Sequence, residues 1–203
     1  MIVVVDYGMG NIHSVLKKLR QCGAEAIASN DPATVRNASK IILPGVGHFA
    51  MAMENLNRLN LIETLNESVL IKKKPVLGIC LGMQLMAGKS EEGNTAGLGW
   101  FDAEVVRFKI QNTIIHKIPH TGWNQIHAEK DSRLLFNINT ESSFYFVHSF
   151  HWKTECNSDV LCTTEYEYRF VSAVEKENIF GVQFHPEKSH DVGEMLFGNF
   201  LKI

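Results

Sequence analysis

Gly78-Ile79-Cys80-Leu81-Gly82 sets a thiol between glycines where the apolar run Pro75 to Ile79 gives way to the helical stretch Met83-Gln84-Leu85-Met86. This is the form of a strand–turn–helix nucleophile elbow with Cys in place of Ser. The glycines let backbone and substrate approach in a strained turn, and the start of a helix favours a thiolate. The amide of Leu81 is then a candidate donor to an oxyanion. A cysteine nucleophile needs a base, and Gln183-Phe184-His185-Pro186-Glu187 supplies one. His185 ends the last apolar strand, Pro186 fixes the local backbone, and Glu187 is close enough to hold the imidazole in one tautomer. Together the two segments predict a triad in the order Cys80, His185, Glu187. Taken singly, the first also suits a buried core cysteine and the second a surface turn.

The elements that must position these groups alternate between β-rich runs and helical periods, which predicts βαβ units and a parallel sheet. Ile2 to Val5 reads as the first strand. Asn11 to Cys22 follows as a helix with Ile12, Val15, Leu16, Leu19 and Cys22 on one face and Gly23 at its stop. Residues 25–28 read as a second strand and Lys40 to Leu43 as a third, broken by Pro44-Gly45-Val46-Gly47. Phe49 to Leu56 and Leu61 to Ile71 read as helices, and Pro75 to Ile79 as a central strand buried on both faces. Beyond Glu92 the pieces are shorter: Glu104 to Phe108, Gly122 to Ile126, Phe144 to Ser149, Asp159 to Thr164, Val171 to Glu175 and Ile179 to His185. Lys176-Glu177-Asn178 reads as a hairpin loop, so this half is expected to be mixed or antiparallel at a sheet edge. Ser189 is placed to cap a last helix with Val192, Met195, Leu196, Phe200 and Leu201 inward. The expectation is a doubly wound, mostly parallel α/β sheet with antiparallel strands at one edge, in one domain over residues 1–203.

The 203 residues carry 20 Lys+Arg against 22 Asp+Glu, a net charge of −2. A nucleic acid or an anionic membrane surface as partner is therefore not expected. No run approaches the roughly 20 apolar residues of a membrane span, and the start, Met1-Ile2-Val3-Val4-Val5-Asp6, lacks a basic leader, so a cytoplasmic location is expected. Cys22, Cys80, Cys156 and Cys162 show no CxxC spacing and read as reduced thiols. Gly8-Met9-Gly10-Asn11 lacks the third glycine of a dinucleotide fingerprint. His148-x-x-His151 on one strand and His116-x-x-x-His120 in a loop read as ordinary polar contacts; no metal and no cofactor are expected.

Together with His185-Pro186-Glu187, the stretch Gly78 to Gln84 resembles the class I glutamine amidotransferase family. Asp6-Tyr7-Gly8-Met9-Gly10-Asn11, Leu43-Pro44-Gly45-Val46-Gly47, Pro119-His120-Thr121-Gly122-Trp123-Asn124 and Tyr145-Phe146-Val147-His148-Ser149 are similar to the group of glutaminase subunits that serve imidazole glycerol phosphate synthases. Val46 separates that group from anthranilate-type relatives, which tend to carry Pro-Gly-Pro-Gly there, and from the Pro-Gly-Gly of the pyridoxal phosphate glutaminase. The resemblance implies glutamine hydrolysis to glutamate and ammonia. It implies Cys80 as nucleophile, His185 as acid and base, Glu187 as its orienter, and Leu81 with Val46 or Gly47 as oxyanion donors. Gln84, Glu92, Ser149 and Phe150 match positions that hold the amino-acid end of glutamine. Asn11, Trp123 and Lys188 match positions near the interface with a partner.

A (β/α)₈-barrel synthase needs about 250 residues of its own. The acceptor chemistry is therefore expected on a separate subunit, and the resemblance implies that this is a cyclase/synthase which forms a heterodimer with the chain, receives its ammonia through a channel and makes imidazole glycerol phosphate and AICAR in histidine biosynthesis. Phe49-Ala50-Met51 stands where relatives often have Phe-Gly-Asp, and Thr121 where Met is common. Those departures leave open a paralogous glutaminase that supplies a sugar amidotransferase in surface-polysaccharide synthesis. A stand-alone γ-glutamyl hydrolase and a non-catalytic subunit of the same fold are the remaining alternatives.

Overall fold

Strands that read as unbroken apolar runs become the buried centre of one sheet. The computed structural model describes residues 1–139 and 141–203. Its first part runs β1 (Ile2–Val5), α1 (Ile12–Gln21), β2 (Ala26–Ser29), α2 (Pro32–Asn37), β3 (Lys40–Gly45), α3 (Phe49–Arg58), α4 (Leu61–Asn66) and β4 (Val76–Cys80). β1 lies parallel between β2 and β3, and β4 lies parallel to β3. Alternate residues of β1 serve two cores: Val3 and Val5 join one, Ile2 and Val4 the other. Phe49, Leu56, Leu61 and Leu65 from α3 and α4 fill the first core. The second core takes Val15 and Leu19 from α1. Helices on both faces of a parallel sheet make the doubly wound arrangement that the sequence predicts.

Three local readings change. α2 was not foreseen; Asp31 caps it by accepting from the Thr34 amide at 2.8 Å, and Pro32 opens it. β3 is not broken at Pro44 but continues to Gly45, because β1 pairs only as far as Ile42 and Pro44 then has a ladder neighbour on the β4 side. The helix from Leu61 changes at Glu67 into a π-helical turn, Glu67–Ile71.

The second part adds α5 (Leu81–Gln84), β5 (Lys89–Ser90), β6 (Thr95–Ala96), β7 (Glu104–Arg107), β8 (His120–Gln125), β9 (His127–Ala128), β10 (Ser143–His148), β11 (Phe150–Lys153), β12 (Val160–Tyr166), β13 (Tyr168–Lys176), β14 (Ile179–Val182) and α6 (His190–Lys202). The main sheet runs β2-β1-β3-β4-β14-β13-β11-β7-β5-β6, with β12 on β13 and β9 on β12. β14 is parallel to β4 and antiparallel to β13, so the sheet changes character there. β8 and β10 form a separate antiparallel ribbon. The last strand ends at Val182, before His185. α6 buries Leu196, Phe197 and Phe200, whereas Met195, expected inward, is exposed. Ser189 does not cap α6 with its side chain; it braces the segment before it.

Candidate active site

β4, a central strand, ends at Cys80, and the chain turns there at φ 53°, ψ −110°, a conformation that L-residues avoid. The turn is tight enough to require its glycines. A Cβ on Gly82 would lie 1.7 Å from the Leu43 carbonyl oxygen, and one on Gly78 2.8 Å from the Gly82 carbonyl oxygen. α5 beyond it is a single turn, so the helix dipole behind the thiol is short and nearby charges matter more. The Cys80 Sγ lies 3.9 Å from the Val147 carbonyl oxygen and 3.6 Å from Gln183 Nε2.

His185 and Glu187 are both buried, and His185 Nδ1 lies 2.7 Å from Glu187 Oε1. A carboxylate accepts, so Nδ1 carries the proton and Nε2 is left for other chemistry. Among the described residues Nε2 has no partner in hydrogen-bond geometry. The ring is fixed from behind: the His185 amide donates to the Tyr145 carbonyl at 2.8 Å, and Ser189 Oγ donates to the His185 carbonyl while accepting from the Tyr145 amide. Burial alone would keep this imidazole neutral, but the adjoining Cys80 and the Glu187 carboxylate overcome it and push its pKa up to about 10. The arrangement favours a protonated imidazolium beside Cys80.

Beside Cys80 lies a cavity of about 300 Å³. It is lined by Val46, Gly47 and Leu81, the expected oxyanion donors, and by Gln84, Glu92, Ser149 and Phe150, expected at the amino-acid end of the substrate. Gly47 has φ 110° and Val46 is exposed, so this loop is open to solvent. Tyr7, fully buried, donates to the Pro44 carbonyl at 2.7 Å and braces the strand end that carries the loop. Its phenol is held protonated by burial and by proximity to Cys80. Glu92 accepts the Phe49 amide at 2.8 Å through Oε2, which ties the cavity wall to the start of α3.

The structure also brings in residues that the sequence reading left without a role. His148 lines the cavity, and its partner is neither His151 nor on its own strand: His120 Nδ1 lies 3.0 Å from His148 Nε2, across β8 and β10. His151 is on β11, and His120 begins β8 instead of lying in a loop. His148 Nδ1 donates to the Phe150 carbonyl at 2.8 Å. The His120 ring is stacked between Phe146 at 4.9 Å and Tyr166 at 4.0 Å. Burial pushes His120 down to about 4, with His116 adding to the shift, and burial lowers His148 well below the ordinary range. Gln183, wholly buried, touches both Cys80 and Gln84. A polar residue closing an otherwise apolar strand, two positions before His185, was the available signal.

Trp123 is 48 % exposed, stacks on His190 at 5.1 Å and meets Tyr145 at 5.9 Å. Lys188 Nζ lies 5.5 Å from the Tyr145 ring centroid, so these two expected interface residues share one aromatic patch. Asn11 stands just before α1, which packs on the turn Pro186–Lys188. Among the described residues the four cysteines are free, no cluster of three metal-ligating side chains occurs, and no helix is long and apolar enough to cross a membrane.

Residues 3–203 match the family model described as Glutamine amidotransferase class-I. The chain is 50% identical to "Imidazole glycerol phosphate synthase subunit HisH 2" of Methanococcus maripaludis, covering 100% of this chain and 99% of that one. It is 47% identical to the protein of the same name from Pseudomonas aeruginosa, with 100% of both chains covered. Among solved structures it is similar to PurLQS from Thermotoga maritima, with TM-score 0.72 at 18% identity over 99% of this chain and 97% of that one. That likeness speaks for the fold, and the family match over nearly every residue speaks for the lineage: the chain belongs to the class-I glutamine amidotransferase family.

Proposed function

We propose that this protein is the glutaminase subunit of an imidazole glycerol phosphate synthase, hydrolysing glutamine and passing ammonia to a (β/α)₈-barrel cyclase/synthase subunit in a heterodimer. The observation that carries this reading is the junction of the strained Cys80 turn, the 2.7 Å His185–Glu187 pair and the 300 Å³ cavity. The names of the full-length relatives support the pathway.

In this reading the Cys80 thiolate adds to the carboxamide carbon of glutamine, and the Leu81 amide with that of Val46 or Gly47 holds the resulting oxyanion. His185 gives its Nε2 proton to the departing nitrogen, so ammonia leaves and a thioester remains. The same nitrogen then takes a proton from water, hydroxide adds to the thioester, and glutamate is released with the thiolate restored. Glu187 keeps the ring oriented throughout. Gln84, Glu92 and the Ser149-Phe150 backbone hold the amino-acid end. Ammonia is largely protonated in neutral water and then no longer a nucleophile, which is why a docked acceptor is required. Asn11, Trp123 and Lys188 are assigned to that docking face.

The test is glutamate release from glutamine by the chain alone, then with a histidine-pathway cyclase partner plus its nucleotide substrate, with Cys80→Ala as blank. A large partner- and ligand-dependent rise is expected. A second reading, supply of a sugar amidotransferase, is favoured by Ala50, Met51 and Thr121, where this chain departs from the common pattern. No rise with the cyclase while Cys80 still reacts with a glutamine analogue would select it. Rapid partner-free cleavage of γ-glutamyl peptides would instead point to a stand-alone hydrolase.

A further inference from the structure

The Gln183 side chain is completely buried, on the segment that links β14 to His185. Its amide lies between two groups: Oε1 is 3.0 Å from Gln84 Nε2, and Nε2 is 3.6 Å from Cys80 Sγ. Which end faces the sulfur follows from the far end of the chain of contacts. The Phe150 carbonyl can only accept, and a side-chain amide end of Gln84 lies 3.1 Å from it, so that end is the NH₂. The second hydrogen of the same NH₂ then points to Gln183, whose facing atom must be the oxygen. An N–H of Gln183 is left directed at Cys80.

The sulfur therefore meets an acceptor, the Val147 carbonyl at 3.9 Å, and a donor, the Gln183 amide at 3.6 Å, with the His185 imidazole and the Tyr7 phenol as the titratable groups that face it. A protonated thiol has use for the carbonyl, whereas a thiolate has use for the amide donor. A hydrogen bond made to the charged form lowers the pKa of the group that accepts it. We infer that Gln183 is a positioning residue that holds Cys80 as the thiolate and, through Gln84 and the Phe150 carbonyl, ties the nucleophile to the wall of the substrate cavity. The inference deepens the proposed function and rests on Cys80 being its nucleophile.

The experiment is the rate of Cys80 alkylation by iodoacetamide from pH 5 to 10, followed on the isolated Cys80 peptide by mass spectrometry. It is run in the wild-type chain, in Gln183→Met, which keeps the length and loses the donor, and in Gln183→Asn, which keeps the amide but withdraws it from the sulfur. The expected result is a rise of about one to two units in the midpoint of the Cys80 profile, the size a charge-assisted hydrogen bond produces, with kcat for glutamine falling by about ten-fold or more. A merely structural role would change the melting temperature without moving that midpoint. An unchanged midpoint in a folded variant overturns the inference alone. Retained glutamine hydrolysis in Cys80→Ala overturns the nucleophile reading, and this inference with it.

Discussion

Two buried imidazole sites, His185 with Glu187 and His120 with His148, behave in opposite ways. His185 is 1 % exposed, His120 3 % and His148 6 %, so burial disfavours the charged form at all three. His185 nevertheless has its pKa raised to about 10, while His120 is lowered to about 4. The difference is in what each ring faces. His185 has a carboxylate at 2.7 Å and adjoins Cys80, and both partners raise its pKa. His120 has a second imidazole at 3.0 Å and aromatic rings on both faces. A charge partner, not depth, decides which buried histidine can carry a proton for chemistry and which is a neutral strut.

The strongest way to break this comparison is to remove the partner that raises His185. Cys80→Ala is expected to reduce glutamine hydrolysis by at least about 10³-fold with the fold intact by circular dichroism. In the same variant the His185 titration, followed by NMR, should move downward; an unshifted His185 would show that Cys80 is not what holds its proton. Glu187→Gln keeps the shape and removes the second charge. Its kcat is expected to fall by roughly 10²- to 10⁴-fold with a smaller change in KM, measured as glutamate release with the partner present.

A third variant addresses the neutral pair. Because the folded pKa of His120 lies below its ordinary value of 6.5, the unfolded chain binds more protons between pH 6.5 and 4, and stability falls as pH falls across that window. His120→Phe should flatten that acid limb by up to about 1.4 kcal/mol per pH unit, while costing about 1–3 kcal/mol at neutral pH because His148 Nε2 loses its donor. Equally steep acid limbs in urea titrations of the two proteins would contradict the assignment. The smallest effect is expected for Lys73→Ala. Lys73 and Glu177 also meet at 2.7 Å, but with side chains 58 % and 64 % exposed. No measurable change in melting temperature or activity should follow, since solvent screens what burial leaves unscreened at His185.

Much of the parallel half was legible because its rules are local. A strand covered on both faces must be an apolar run, which marks Ile2–Val5 and Val76–Cys80, and a thiol between glycines at such a run's end marks the elbow. His185 and Glu187 are two residues apart, so their pairing needs no long-range information. The antiparallel half was less legible. Its strands are two to nine residues long, and β5, β6, β9 and β11 carry too little pattern to be seen.

The sequence by itself determined the residue types of the elbow, the spacing of the His-Pro-Glu segment and the alternation that makes a doubly wound sheet. The tertiary structure alone decided which distant groups meet. It seats β14 beside β4, which carries Gln183 to Cys80 across 103 positions, and it pairs β8 with β10, which makes His120 the neighbour of His148 in place of His151. Register between strands is set by packing across the whole sheet, and no local pattern encodes it.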